Sequence, residues 1–170
     1  ATSAITDASP FVVRTSFTLP QAAVGMAEWA NKNGIKKTVT LVADYGPGFD
    51  AEKYFADRVT LNGGQVLDKL RTPLRAPDFA PVLQKVRDAK PDALFVFLPS
   101  GQGAAFMKQF AERGLDKAGI RLIATGDVTD DDQRAALTTL RATLARLLPG
   151  HIECLSYAMP GFRLKTSGFH

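Results

Sequence analysis

Cysteine and histidine are nearly absent from this chain of 170 residues, and tryptophan occurs once. Cys154, His151 and His170 all lie near the C-terminus, so residues 1–132 contain neither cysteine nor histidine. That excludes cysteine nucleophiles, Cys/His zinc sites, imidazole general bases and disulfides from most of the molecule. No apolar run reaches the ~18 residues that a membrane helix needs. No run of like charges is long enough to form a nucleic-acid arm. The chain opens on Ala1 without a methionine or a leader pattern, and the expectation is that something upstream has been removed. What remains, 45% apolar, 22% charged and 9% aromatic, describes one soluble globular domain, long enough to bury a core without staples.

The formal charge of +4, with a pI near 9.3, at first suggests nucleic acid or anionic membranes. Its location argues otherwise. Residues 1–132 hold sixteen Lys/Arg against sixteen Asp/Glu and are neutral. Residues 133–170 carry Arg134, Arg141, Arg146, Arg163 and Lys165 against Glu153 alone, so the whole excess belongs to the tail. No aromatic residues interleave those cations in a defined motif, and no nucleic-acid partner is expected.

The body alternates strand and helix patterns. Four β-rich runs recur about every 27 residues, at 38–43, 65–70, 93–98 and 120–124. Runs such as Val-Thr-Leu-Val and Leu-Phe-Val-Phe-Leu are continuously apolar, as suits strands buried on both faces of a parallel sheet. Between them lie helical patterns. Residues 21–32 place Ala22, Met26, Trp29 and Ala30 on one stripe, and residues 51–61 place Ala51, Phe55 and Val59 at helical spacing. Asp78 is placed to cap a helix carrying Phe79, Val82, Leu83 and Val86, with Pro81 tolerated in its first turn. A fourth helix runs from Gly103 through Phe106, Met107 and Phe110 and stops at Gly114. The order predicts an α/β fold, a doubly wound, mostly parallel sheet with helices on both faces. Residues 133–148 have helical leucine spacing, and no period persists after Pro149.

In such folds ligands sit beyond the C-terminal ends of the strands. Those ends are Asp44-Tyr45-Gly46-Pro47-Gly48, Arg71-Thr72-Pro73, Pro99-Ser100-Gly101-Gln102-Gly103 and Thr125-Gly126-Asp127. Tyr45 is either an aromatic wall for a small ligand or a ring packed on its loop. The Ser100 hydroxyl suits a ligand carboxylate, and Asp127 suits a ligand ammonium group or a cap. The two glycine turns precede helices, whose N-termini attract anions, yet neither completes a phosphate loop or a dinucleotide fingerprint. Asp44 suggests a phospho-acceptor domain, which would need an aspartate after the third strand, where Pro99-Ser100 stands. Ser100 has no histidine to activate it, and no close carboxylate pair is visible. These features favour binding over catalysis, with no cofactor and no metal.

The same residues carry a family resemblance. Ala1-Thr2-Ser3-Ala4-Ile5-Thr6, Ser9-Pro10-Phe11-Val12-Val13-Arg14-Thr15, Val39 to Gly48, Asp78-Phe79-Ala80-Pro81-Val82-Leu83, Lys90 to Phe97, Phe106 to Leu115 and Ile123 to Thr129 resemble periplasmic solute-binding proteins of branched-chain amino-acid-type ABC transporters, the Leu/Ile/Val-binding family. The resemblance covers roughly residues 1–132. It implies one lobe of the type I periplasmic-binding-protein fold, in which two α/β lobes close on a ligand. Residues 1–17 would be the end of a ligand loop and an inter-lobe crossover, and 18–132 most of the second lobe. Residues 133–170 would be an atypical basic tail. The family pattern implies that Thr2 and Ser3 lie where the ligand's α-carboxylate is held, that Tyr45 is a pocket wall and that Asp127 meets the α-amino group. The family's aromatic after the third strand has no counterpart at Pro99-Ser100-Gly101. The resemblance also implies a periplasmic location, a small-molecule ligand (a branched-chain or related amino acid, or a small carboxylate) and a membrane permease as partner. A regulatory or receptor ligand-binding domain of the same fold is the alternative.

Most of the first lobe is missing, and the family pattern stops after Asp132, where the charge step begins. The expectation is an out-of-frame or truncated tail. Translating the other two frames past Asp132 should restore the pattern; if neither does, a divergent C-terminal helix is the alternative.

Overall fold

A computed structural model of the chain describes Thr6, residues 8–75, residues 77–125 and Val128. Thr2, Ser3, Asp127 and the expected helix at 133–148 lie outside the described residues.

Helix α1 spans Leu19–Lys32. Thr18, in extended conformation, opens it with a capping box: its hydroxyl accepts from the Gln21 amide at 3.4 Å, and the Gln21 side chain accepts from the Thr18 amide at 2.7 Å. Pro20 occupies the first turn, where its missing N–H costs nothing. The buried stripe is Leu19, Ala23, Met26, Ala27 and Ala30, turned by one residue from the expected one. Trp29 is therefore only half-buried, at the rim of the core.

Strand β1 (Lys37–Ala43) follows, then α2 (Gly46–Leu61), β2 (Gln65–Thr72), α3 (Ala80–Ala89), β3 (Ala93–Phe97), α4 (Gly103–Glu112) and β4 (Arg121–Ala124). The four strands form one parallel sheet in the order β2-β1-β3-β4. Helix α2 starts five residues earlier than its apolar spacing predicts. Its first turn is Gly46-Pro47-Gly48, a stretch that reads as loop in isolation and has no apolar side chain to betray a helix. Helix α3 starts one residue later than expected: its N-cap is Phe79, which makes no side-chain cap bond, and Asp78 stands one residue before the cap, its carboxylate accepting from the Ala80 amide at 2.9 Å.

The sheet is buried on both faces. Val39, Leu41 and Ala43 of β1, Leu94 and Val96 of β3, and Leu122 and Ala124 of β4 pack with Leu83 and Val86 of α3 and Phe106 and Phe110 of α4. The alternate residues, Val42, Phe95, Phe97 and Ile123, meet α1 and α2 on the other side. That two-sided burial explains the continuously apolar runs of β1 and β3. Edge strand β2 is half-exposed and carries Asp68, Lys69 and Arg71, charges that discourage edge-to-edge pairing.

The N-terminal end of the sheet is held by Asp92. Its carboxylate accepts from the Lys36 and Lys37 amides at 2.8 and 2.7 Å, while its own amide donates to the Lys37 carbonyl and its carbonyl accepts from the Arg121 amide. Asp92→Ala is expected to cost about 1–2 kcal/mol in urea unfolding, because two backbone donors lose a charged acceptor.

At the opposite end, the chain runs outward from β1 to β2, then returns past β1 to β3 and outward again to β4. The direction of winding reverses between β1 and β3. The loops after these two strands diverge and leave a crevice at their C-terminal ends.

Candidate functional site

Tyr45 stands at that crevice. It follows β1 in extended conformation and caps α2 without a side-chain bond; its amide donates to the Ala43 carbonyl and its carbonyl accepts from the Phe49 amide, both at 3.0 Å. Its ring lies nearly parallel to that of Phe97, the last residue of β3, with centroids 6.0 Å apart and planes 14° from parallel. The half-buried ring also packs against the apolar clusters on both sheet faces. The ring is thus packed on its surroundings, with one side supported by Phe97.

Gly48 makes this possible. A Cβ on Gly48 would overlap the carbonyl oxygen of Ala43 and come within 3.1 Å of that residue's carbonyl carbon. Only a residue without a side chain lets the first turn of α2 fold so close under the end of β1.

Beside the crevice, at the end of β2, Arg71 forms a two-pronged ion pair with Glu52 of α2. Nη2 donates to Oε1 at 2.9 Å and Nε to Oε2 at 3.2 Å. The Glu52 carboxylate is buried, whereas the Arg71 side chain is 45% exposed. The guanidinium also lies 4.5 Å from the centre of the exposed Phe49 ring. The hydrogen bond to Glu52 is the main reason Arg71 holds its proton even more firmly than an ordinary arginine; burial opposes this, and the charges of Glu52 and Asp44 add to it. The Arg71 guanidinium therefore stays charged at any pH the folded protein meets.

The loops after β2 and β3 are tied together across the end of β1. Gln102, just before α4, donates from Nε2 to the Leu74 carbonyl at 2.8 Å. Ser100 is exposed in the turn that precedes it, and Gly101 takes φ +91°. Tyr45 and Ser100, singled out by their places in the sequence, thus sit at the ends of adjacent strands. Among the described residues no cluster of His, Cys, Asp and Glu is arranged to hold a metal ion, and no helix is long and apolar enough to cross a membrane.

A family model described as "Periplasmic binding protein" matches residues 1–144, reaching past Asp132. The chain belongs to the periplasmic binding protein family. Its sheet and two helical layers are the type I fold of those proteins. The curated Leu/Ile/Val-binding protein homolog 6 of Brucella abortus is 44% identical over 138 residues, which is 81% of this chain and 35% of that protein. The chain therefore spans only about a third of the relatives' length. A solute-binding protein of an ABC transporter from Rhodopseudomonas palustris BisB5, solved with 3,4-dihydroxybenzoic acid, is 59% identical with a TM-score of 0.74, covering 78% of this chain and 37% of its own. Another R. palustris solute-binding protein, solved with 4-hydroxybenzoate, is 43% identical with a TM-score of 0.74, covering 78% and 36%. All three relatives are described as binding proteins.

Arg71, Thr72 and Gln102 stand in the strand-end segments read from the sequence without being singled out, and Phe97, Phe49 and Glu52 carry no sequence signal of their place at this end of the sheet. The turn after β3 holds no aromatic, and the ring at that end of the sheet is Phe97, the last residue of the strand. Arg71 alone had a visible signal, a cation directly after a β-rich run. Glu52 gave none, because its partner is nineteen residues away.

Proposed function

We propose that the chain supplies one jaw of a two-lobed periplasmic solute-binding protein serving an ABC importer, and that its solute is a small aromatic carboxylate. The observation that carries this reading is the Tyr45 ring backed by Phe97 at the point where the sheet reverses its winding. A flat aromatic surface there suits a planar ring in the crevice. The hydroxylated benzoates held by the two R. palustris relatives support the same class. The name of the Brucella abortus relative supports a branched-chain amino acid instead, the second reading.

In the proposed arrangement residues 1–17 carry the end of a ligand loop and the crossover, 18–132 form the jaw, and 133–170 are a tail without a ligand role. Tyr45 walls the pocket. Thr2, Ser3 and Ser100 offer hydroxyls to the carboxylate, and Asp127 offers a carboxylate to an ammonium group should the solute be an amino acid. No reaction is catalysed. Closure of two jaws on the solute selects the conformation that a membrane permease recognises.

Because half the cleft is supplied elsewhere, calorimetry of the 170-residue chain is expected to find no sub-micromolar binding of leucine, isoleucine, valine, benzoate or 4-hydroxybenzoate. Fusing the chain to the complementary lobe of the BisB5 relative is expected to restore micromolar or tighter binding of 4-hydroxybenzoate, with leucine weaker by roughly a hundredfold. A fusion that prefers leucine would replace the aromatic reading with the amino-acid one. A sub-micromolar constant for the isolated chain would overturn the single-jaw reading.

A further inference from the structure

Seven large apolar side chains are exposed among the described residues: Phe11, Val12, Val13, Phe17, Phe49, Leu61 and Leu74. All but Leu61 belong to the crevice end of the sheet or to the segment that leads into it. Helices α1 and α2 run side by side in the same direction, because Glu28 near the end of α1 meets both Arg58 and Asn62 at the end of α2, each at 3.3 Å. Counting back along both helices brings Phe17, just before α1, level with Phe49 in the first turn of α2. Leu74 follows β2 at the same end, and the Arg71 guanidinium lies 4.5 Å from the centre of the Phe49 ring. Phe11, Val12 and Val13 stand shortly before Phe17, in the segment that turns at Ser9–Val12 and leads into α1. Leu61 closes α2 at the opposite end of the sheet.

Phe11 is 92% exposed and Val13 84%, and side chains of this kind gain by leaving water. Taking about 150–200 Å² for each side chain fully exposed, the six present roughly 600 Å² at one end of the molecule. That is at the top of what a monomer ordinarily bares, about 300–600 Å², and short of the roughly 800 Å² a side of a tight pair. A weak, reversible partner suits such a face. The face also carries charges of both signs. Asp44 is exposed at the end of β1 and makes no ion pair among the described residues. Arg71 is half-exposed at the end of β2, and Glu52 engages only its Nε and Nη2. In a two-fold pairing every contact is made twice, so an acid and a base on one face complement the same face of a second copy.

We propose that this end of the sheet is a self-association face, through which two copies of the 170-residue chain pair about a two-fold axis. The apolar segment before α1 and the first turn of α2 pack against the other copy, and Asp44 of each copy stands opposite Arg71 of the other. Each crevice is then covered by the second copy. This goes beyond the jaw reading and is independent of which solute the crevice takes.

Sedimentation velocity of the 170-residue chain from about 1 to 200 μM is expected to show a reversible monomer–dimer equilibrium, with a dissociation constant in the tens of micromolar. The double variant Phe11→Ser, Val13→Thr should raise that constant about tenfold. Asp44→Lys should raise it about threefold, by setting like charges opposite each other. Leu61→Ser, which removes an exposed apolar side chain at the other end of α2, should leave it unchanged. Far-UV circular dichroism shows that each variant folds, and all four residues are exposed. A chain that stays monomeric across the whole range overturns the self-pairing and leaves the face to the opposite jaw. A dimer weakened by Leu61→Ser, or untouched by the double variant, overturns it too, because pairing then runs through another surface. Species that grow past the dimer, or a constant unchanged by Asp44→Lys, overturn the two-fold arrangement.

Discussion

Gly48→Ala is expected to lower the unfolding free energy by about 3 kcal/mol, a large effect for one methyl group. The added Cβ would overlap the Ala43 carbonyl oxygen, which is backbone at the end of a central strand and has no rotamer to escape through. Either the first turn of α2 shifts or the end of β1 does. Both hold Tyr45, so the same substitution should weaken its stacking on Phe97. Urea unfolding followed by circular dichroism measures the first effect, and the near-UV tyrosine signal the second. Gly46→Ala is the matched control. A Cβ there meets nothing within 4 Å, and its cost should stay within about 0.5 kcal/mol. Equal stability of the two variants would contradict the tight turn.

Phe95→Ala should cost more, about 4 kcal/mol in the same urea experiment. Phe95 lies at the middle of β3, fully buried, and stacks on Phe55 of α2 with centroids 4.0 Å apart and planes 8° from parallel. Removing the ring opens a cavity between the sheet and the α1/α2 layer, walled by the central strands, which cannot collapse without breaking ladders on both sides. Phe95→Leu refills much of that volume and should cost about 1–1.5 kcal/mol. A loss below about 1 kcal/mol for Phe95→Ala would show that α2 moves in to close the gap.

The two substitutions probe different kinds of legibility. Phe95 lies in the run Leu-Phe-Val-Phe-Leu, whose unbroken apolarity is enough to mark a strand buried on both faces. Gly48 gives no such signal. As part of Gly-Pro-Gly it reads as a turn, and its role appears only when helix and strand meet at one carbonyl. The same contrast runs through the site. Tyr45 and Ser100 were legible because their positions at strand ends follow from local pattern. Phe97 is one residue of an apolar run until the sheet brings it under Tyr45. Thr72 reads as lying just past its strand, because the apolar pattern ends at Leu70. The ladder with β1 continues to Thr72, since backbone pairing does not depend on the side chain being apolar.

Local pattern by itself determined the alternation of strands and helices, the stop at Gly114, the two-sided burial and the neutral charge of the body. These depend on neighbours along the chain, through periodicities of two and 3.6 residues. It also placed the positive excess wholly after Asp132. Only the tertiary structure decided the strand order β2-β1-β3-β4, and with it the crevice between β1 and β3. Only it set Phe97 under Tyr45 and paired Arg71 with Glu52. Each of these joins residues far apart in the chain, and which of them meet depends on the register and winding of the whole sheet rather than on any one segment.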